Sequence, residues 1–371
     1  MRETVCLSVS FGLASKPLDW LRSFLCDRTF CIVAGSTRSH WAPAPFGLPH
    51  GSVLGPLLYI LYTSEIGLLL SSCGVLNQIY ADDTQAYVHC PAAKAATAAH
   101  SMQLAIDSLG GWMSSNRLRL NPSKTQFIWL GTRQQLAKLD LCALSTQFPL
   151  FTFCTSVRDL GVILDQELTF TQHVNAVSRS CFYQLRQLRV ISRTLTPSAA
   201  TTLVHAFVAS RLDYCSSLYV GLPQSRIGRL ERVLRAAARL IGGIPKMGHV
   251  SHYMRDVLHW LPLPQRISFR VSAFVWRSLV GTAPAYLQEL CRSISANIGR
   301  RPLRSAVRGD LSVPFARTSL MQHRAFSVVG PSIWNGLPLE LRLLPRNSSS
   351  AFYTSLKTIL FSRGWAGSAS E

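Results

Sequence analysis

The run Val75-Leu76-Asn77-Gln78-Ile79-Tyr80-Ala81-Asp82-Asp83-Thr84-Gln85-Ala86-Tyr87-Val88 constrains this chain more than any other stretch of it. It reads as a β-hairpin with Asp82 and Asp83 at its tip. Adjacent carboxylates on a tight turn repel one another, so folding alone gives little reason to place them there. A divalent cation relieves the repulsion: Mg²⁺ takes one or two carboxylates and completes its shell with water and substrate phosphate. Upstream lies a Pro/Gly-rich loop, Phe46-Gly47-Leu48-Pro49-His50-Gly51-Ser52, followed by an apolar segment from Val53 to Leu70. Pro56, Ser64 and Glu65 interrupt that segment within the span a membrane helix needs. The expectation is a buried core helix and no membrane association.

Charge divides the chain of 371 residues. Residues 1–180 carry 13 Lys/Arg against 11 Asp/Glu, and residues 181–371 carry 25 against 7, so nearly all of the net charge of +20 lies in the second half. Arginine dominates there, and its planar fork suits phosphate better than a point charge does. Polyanion binding by the second half is the natural inference. Its clearest helix runs from Ser225 to Ile241. Ile227, Leu230, Val233, Leu234, Ala237 and Ile241 make one stripe, with Arg229, Arg232, Arg235 and Arg239 on the other side. Arg186, Arg189 and Arg193 share one face of an earlier helix that ends before Pro197, and a helix from Ser198 to Tyr219 lies between the two. Exposed arginines are often just a solvated face, but only Glu231 is acidic in the third helix, which favours phosphate contact.

The ten cysteines are scattered, with no C-x-x-C pair and no zinc-site spacing, and read as reduced thiols. The segment Met1-Arg2-Glu3-Thr4-Val5-Cys6 lacks the pattern of a secretory signal. An intracellular protein of the nucleus or cytoplasm, not a secreted one, is therefore expected.

Loop, apolar segment and hairpin in this order resemble a reverse transcriptase of the LINE type, encoded by non-long-terminal-repeat retrotransposons. In that family a loop of the form G-V-P-Q-G-S-V-L-G-P-L-L precedes a palm helix, and Y-A-D-D carries two of three catalytic aspartates. Here the matching residues are Gly47 to Leu58 and Tyr80-Ala81-Asp82-Asp83, with His50 where glutamine is usual. Trp20-Leu21-Arg22-Ser23-Phe24-Leu25 to Thr29 resembles a helix that leads to a strand, here Phe30 to Ala34 with Gly35-Ser36 as its turn. After a helix from Ala92 to Asn116, Leu118-Arg119-Leu120-Asn121-Pro122-Ser123-Lys124-Thr125 resembles the family's L-x-L-N-x-x-K-T turn, here leading into a strand. Leu160-Gly161-Val162-Ile163-Leu164-Asp165, Leu168, Phe170 and His173 resemble a later family segment. There Asp159 and Asp165 read as turn or capping residues. Pro331-Ser332-Ile333-Trp334-Asn335-Gly336-Leu337-Pro338 resembles a further one, in which Trp334 reads as a packing residue.

The resemblance implies an α+β fold: an incomplete right-hand polymerase palm over residues 1–171, a helical thumb over 172–262, and a basic, mostly helical extension over 263–371. It implies RNA-directed DNA synthesis by nucleotidyl transfer with two Mg²⁺ (or Mn²⁺) ions held at Asp82 and Asp83. The partners implied are an RNA template, a DNA primer and a deoxynucleoside triphosphate. Lys124 would meet the leaving pyrophosphate, and Tyr80, Pro49, His50, Gly51 and Ser52 would position substrate. The thumb arginines would grip the template–primer. Alternatives stay open: His50 reads equally as a surface histidine and Lys124 as a solvated turn residue. The family's first aspartate motif is not visible upstream of Asp19, where only Glu3 is acidic. An impaired or inactive polymerase is therefore expected, against the alternative of a non-catalytic nucleic-acid-binding protein or retrotransposon relic.

Overall fold

Short strands and amphipathic helices follow the hydrophobic periods of the sequence and separate into two regions. A computed structural model describes residues 12, 14–45, 47, 51–149, 152–294, 308–316 and 322–366. Met1–Phe127 with Gln134–Phe153 form one compact unit, and Ile128–Arg133 with Cys154–Glu371 form the other. The architecture is mixed, helices with small antiparallel sheets. Among the described residues the strands form four separate pairs and no larger sheet.

The first unit opens with α1 (Lys16–Leu25). The single strand expected from Phe30 to Ala34 is instead two short pieces. Thr29–Phe30 (β1) pairs with Ala42–Pro43 (β4), and Val33–Ala34 (β2) pairs with Thr37–Arg38 (β3) across Gly35-Ser36. Gly35 has φ 61°, a left-handed conformation that glycine adopts without cost. The apolar segment also departs from expectation. It forms two helices, α2 (Gly55–Tyr62) and α3 (Glu65–Ser72). The break has a local cause: the Thr63 hydroxyl donates to the Tyr59 carbonyl at 2.9 Å and the Ser64 hydroxyl to Leu61 at 2.8 Å. Nor is the segment buried all round. Leu58, Ile66 and Leu70 face inward, whereas Leu57 and Leu68 are 58% and 75% exposed.

Leu76–Tyr80 (β5) and Asp83–Tyr87 (β6) make the hairpin, followed by a 3₁₀ turn and α4 (Ala95–Ser115). Ile66 and Leu70 of α3, Val75, and Ala105 and Leu109 of α4 form the core of this unit, with Ile79, Ala86 and Leu120 packed against it. Beyond Lys124 the expected strand reduces to one isolated bridge, Phe127 to Phe153.

The second unit starts with a tight hairpin, Ser156–Asp159 (β7) and Val162–Asp165 (β8). Leu160 (φ 43°) and Gly161 (φ 84°) both turn left-handed, the pattern of a two-residue hairpin loop. The Asp165 carboxylate accepts from the amides of Thr169 (2.8 Å) and Phe170 (2.7 Å), a capping role that launches α5 (Thr171–Ile191). Pro197–Val204 (α6) continues through a π-helical turn, His205–Ala209, into Ser210–Asp213 (α7). The uninterrupted helix expected over Ser198 to Tyr219 stops there: the amide of Tyr214 bonds to Ser210, and Cys215 turns left-handed. Then comes α8 (Gln224–Ile241) with its whole apolar stripe buried, as its spacing predicts. Val174, Leu185, Val208, Leu230 and Leu234 belong to the core that α5, α6 and α8 share.

Leu263–Val280 (α9), Phe326–Asn335 (α10) and Ser349–Trp365 (α11) build a second core around Trp276, Trp334 and Phe352. Trp276 and Phe352 stack with ring centres 4.1 Å apart. Trp334 is fully buried and its indole donates to the Gly309 carbonyl at 3.0 Å, so packing is its role. Its neighbour Asn335 accepts from the Leu311 amide (2.8 Å) and donates to the Leu311 carbonyl (2.9 Å), holding that backbone as a strand would.

His173 ties β8 to α5. It is buried, its Nδ1 accepts from the Ile163 amide at 3.3 Å, and burial followed by the Arg158 charge lowers its pKa. Only the neutral ring can accept that bond. Its contribution to stability is therefore complete above the unfolded pKa of about 6.5 and is lost as pH falls toward the depressed folded value. Urea unfolding at about pH 7.5 and about pH 5.5 should show a larger drop for the natural protein than for His173→Asn, which keeps an acceptor but cannot be protonated.

Candidate functional site

A two-stranded hairpin is marginal by itself, and this one is secured along its inward edge. Asn77 donates to the Gly67 carbonyl of α3 at 3.0 Å and to the Ser71 hydroxyl at 3.2 Å. A Cβ on Gly67 would sit 3.3 Å from Asn77 Oδ1, a tight contact that glycine avoids. Ile79 and Ala86 supply the apolar contact beside it. The indole of Trp112 donates to Glu65 at 3.0 Å, and the Tyr62 hydroxyl donates to the Asn116 carbonyl at 2.6 Å, fixing α2 and α3 against α4.

The tip differs by one residue from the expected arrangement. Tyr80 pairs with Asp83, so the two turn residues are Ala81 and Asp82, and Asp83 is the first residue of β6. Ala81 has φ 53°, where a side chain costs roughly 1–2 kcal/mol. Tyr80, Asp82 and Asp83 are all exposed. Among the described residues neither carboxylate has a hydrogen-bond or ion-pair partner. Tyr59 on α2 feels the site: burial raises its phenol pKa and the Asp82 charge raises it further.

Of the loop residues, Pro49 and His50 lie outside the described residues. Gly51 has φ 79° with open space where a Cβ would point, so the backbone turn is what demands glycine. The Ser52 hydroxyl accepts from the Gly55 amide at 3.1 Å, a local bond that starts α2. Arg28, which sequence reasoning passed over, donates to the Gly47 carbonyl at 2.6 Å and to Leu25 at 3.1 Å, pinning the loop's beginning. Lys124 is exposed on a turn closed by Asn121, whose side chain accepts from the Ser123 amide at 3.1 Å.

In the second unit Arg186 and Arg189 are exposed on α5, while Arg193 falls on a 3₁₀ turn, Ser192–Thr194, past the helix end. The three therefore do not share one helix face. On α8, Arg232 and Arg235 are exposed with no acidic partner among the described residues. Arg229 donates to the Asn175 side chain and remains exposed. Arg239 is half-buried and spends its Nε on the Gly248 carbonyl at 3.1 Å, a structural bond. Arg300, Arg301 and Arg304, a further basic cluster in the sequence, lie outside the described residues.

Residues 4–164 match the family described as reverse transcriptase (RNA-dependent DNA polymerase). This match and the relatives below support a reverse transcriptase of the LINE type. The chain is 28% identical over 248 residues to a probable RNA-directed DNA polymerase from transposon BS of Drosophila melanogaster, covering 64% of this chain and 27% of that protein. It is 25% identical over 245 residues to the RNA-directed DNA polymerase from mobile element jockey of the same organism, covering 64% and 26%. The Drosophila funebris jockey protein is 26% identical over 242 residues, covering 63% and 26%. The chain thus spans about a quarter of the length of the curated relatives it matches.

Reverse transcriptases use divalent metal ions, and the exposed pair Asp82 and Asp83 fits that need in part. Mg²⁺ is satisfied by one or two carboxylates plus substrate phosphate. A metal pair needs a further bridging group, and among the described residues no cluster of three His, Cys, Asp or Glu side chains is suited to a metal. Also among the described residues, no helix is long and apolar enough to cross a membrane. The strand–helix bond behind the aspartates is open to test. Asn77→Ala should lower stability by about 0.5–1.5 kcal/mol in chemical denaturation, because it removes the strand–helix bond while the Gly67 carbonyl keeps the Ser71 hydroxyl.

Proposed function

We propose that the chain is the RNA-directed DNA polymerase part of a non-LTR retrotransposon protein, with Asp82 and Asp83 as its metal-binding carboxylates. One observation carries this: a hairpin docked on two helices presents both aspartates to solvent, uncompensated, in the Y-A-D-D register of a family that residues 4–164 match. On this reading residues 1–171 act as the palm, 172–262 as the thumb and 263–371 as a basic extension, in the nucleus or cytoplasm.

A divalent ion, when bound, supplies Lewis-acid stabilisation of charge on the transferring phosphoryl group. The chain's own residues bind and orient. Asp82 and Asp83 would hold Mg²⁺ or Mn²⁺, two ions if the site is completed. Tyr80, 65% exposed beside them, offers a ring against the incoming deoxynucleoside triphosphate. Gly51, Ser52, Pro49 and His50 would border that nucleotide, and Lys124 would place its ammonium near the leaving pyrophosphate. Arg186, Arg189, Arg193, Arg229, Arg232 and Arg235 would meet backbone phosphates of the RNA template and DNA primer. Arg239, tied to Gly248, would add charge more than contact.

We propose further that extension by this chain is weak or lost, since Asp82 and Asp83 have no third carboxylate beside them among the described residues. Displacing a reacting group by about 1 Å can cost roughly 100-fold in rate. Primer extension on an RNA template should therefore give little product with Mg²⁺ or Mn²⁺. Robust synthesis that disappears in Asp82→Asn would show a complete site and overturn the impairment. Template–primer binding should occur in either case and be insensitive to Asp82→Asn and to chelator. Arg232→Gln with Arg235→Gln should reduce the magnitude of the log Kd–log salt slope by about 2, close to one per phosphate contact on duplex DNA. An unchanged slope would instead mark those arginines as solvated surface.

A further inference from the structure

A cleft of about 700 Å³ opens in the second unit, lined by residues of α6, α7, α9 and α11 and by the turn between Tyr253 and Leu261. That size suits a small organic ligand. Tyr253 and Phe269, half-buried, give it an aromatic wall backed by the buried Trp260, and the His205 ring stands edge-on to Trp260 with centres 5.6 Å apart.

Its charge is unbalanced in a specific way. Among the described residues Asp213 is the only carboxylate on the wall, and Arg266 holds it with a two-point fork, Nε to Oδ1 at 3.1 Å and Nη2 to Oδ2 at 2.8 Å. Arg270 also reaches toward Asp213, at 3.6 Å, but remains half-exposed. Lys357, from α11, lines the same cleft without a carboxylate partner among the described residues. One carboxylate already satisfied by Arg266 cannot neutralise three cations, so Arg270 and Lys357 leave a surplus of positive charge at an aromatic cavity. His205 and His259 add donors and no negative charge.

We propose that this cleft binds a nucleotide unit, with the base against the aromatic wall and the phosphate on Arg270 and Lys357. Charge-assisted bonds from a guanidinium and an ammonium suit phosphate oxygens, and rings suit a base face whatever its identity. An acidic peptide would satisfy the cations and leave the aromatic wall without a flat partner. The nucleotide is either free or one unit of a single strand. No residue of the hairpin unit takes part, so this site and the polymerase reading fail separately.

Photocrosslinking of the full chain tests it, with 8-azido-ATP as the free nucleotide and a 4-thiothymidine dodecamer as the strand. The label should fall on peptides containing residues 253–270, and Arg270→Gln with Lys357→Gln should weaken binding about tenfold or more. Arg270→Lys with Lys357→Arg should restore it, and Asp82→Asn should leave it unchanged. Far-UV circular dichroism shows that the variants fold. Labelling by 8-azido-ATP identifies a free-nucleotide site, and labelling by the dodecamer alone a strand site. The proposal is overturned if no label falls on residues 253–270, whatever is labelled in the hairpin unit. It is equally overturned if the double Gln variant binds as before, or if inorganic triphosphate competes as well as ATP, which would show no recognition of the base.

Discussion

The candidate chemistry rests on a strand meeting a helix closely enough for an amide to bond a helix carbonyl. Asn77 bonds the Gly67 carbonyl, where a Cβ would crowd its amide, and Ile79 and Ala86 pack inward beside it. Burying one face fixes the pairing register, since a slip by one residue would turn that face outward. Register in turn decides that Ala81 and Asp82 make the turn and that Asp83 begins β6. Two repelling carboxylates and a left-handed alanine are then held by packing elsewhere, and local preference does not favour them.

Positive charge in the second unit divides into two populations. Some arginines are consumed by the fold. Arg324 donates to the carbonyls of Val220, Leu168 and Leu218 and lies over the Phe170 ring at 5.2 Å. Burial and then the Arg226 charge lower its pKa, and the Asp165 charge opposes them in part. Arg342 is buried against Asp310, and Arg346 covers Trp276 and Trp334. Others, such as Arg186, Arg189, Arg232 and Arg235, remain exposed. Net charge therefore overstates the surface offered to a polyanion, and a salt slope reports only the second population.

What could be read from sequence follows how local each cause is. The hairpin, the α8 stripe and the capping by Asp165 depend on neighbours within a few residues and were legible from period and spacing. The break between α2 and α3 was not. It comes from hydroxyls of Thr63 and Ser64 turning back on the helix, with no proline or glycine to announce it. The strand expected after Lys124 differs for the opposite reason: Phe127 alternates suitably but, among the described residues, finds only one bridge, to Phe153. Arg193 fails to extend its helix face because α5 ends two residues earlier. For the site, Asp82, Asp83 and Tyr80 were visible as a motif. Asn77, Gly67 and Arg28 were missed, because each acts through a tertiary partner that spacing cannot name.

Trp334 and Asn335 show how a motif without chemistry can still carry information. The indole fills a ring cluster with Trp276 and Phe352 and bonds the Gly309 carbonyl. The amide beside it binds both backbone groups of Leu311, and Arg342 pairs with Asp310 between them. Ile294 and Ser312 add backbone bonds to Asp310 and Arg292, so positions 294 and 310 are brought together. Alanine at position 335 would leave a buried donor and acceptor unpaired at once, whereas aspartate would keep the acceptor and lose the donor. Tryptophan and asparagine are needed side by side because one fills a volume and the other completes a ladder, and no single residue type does both.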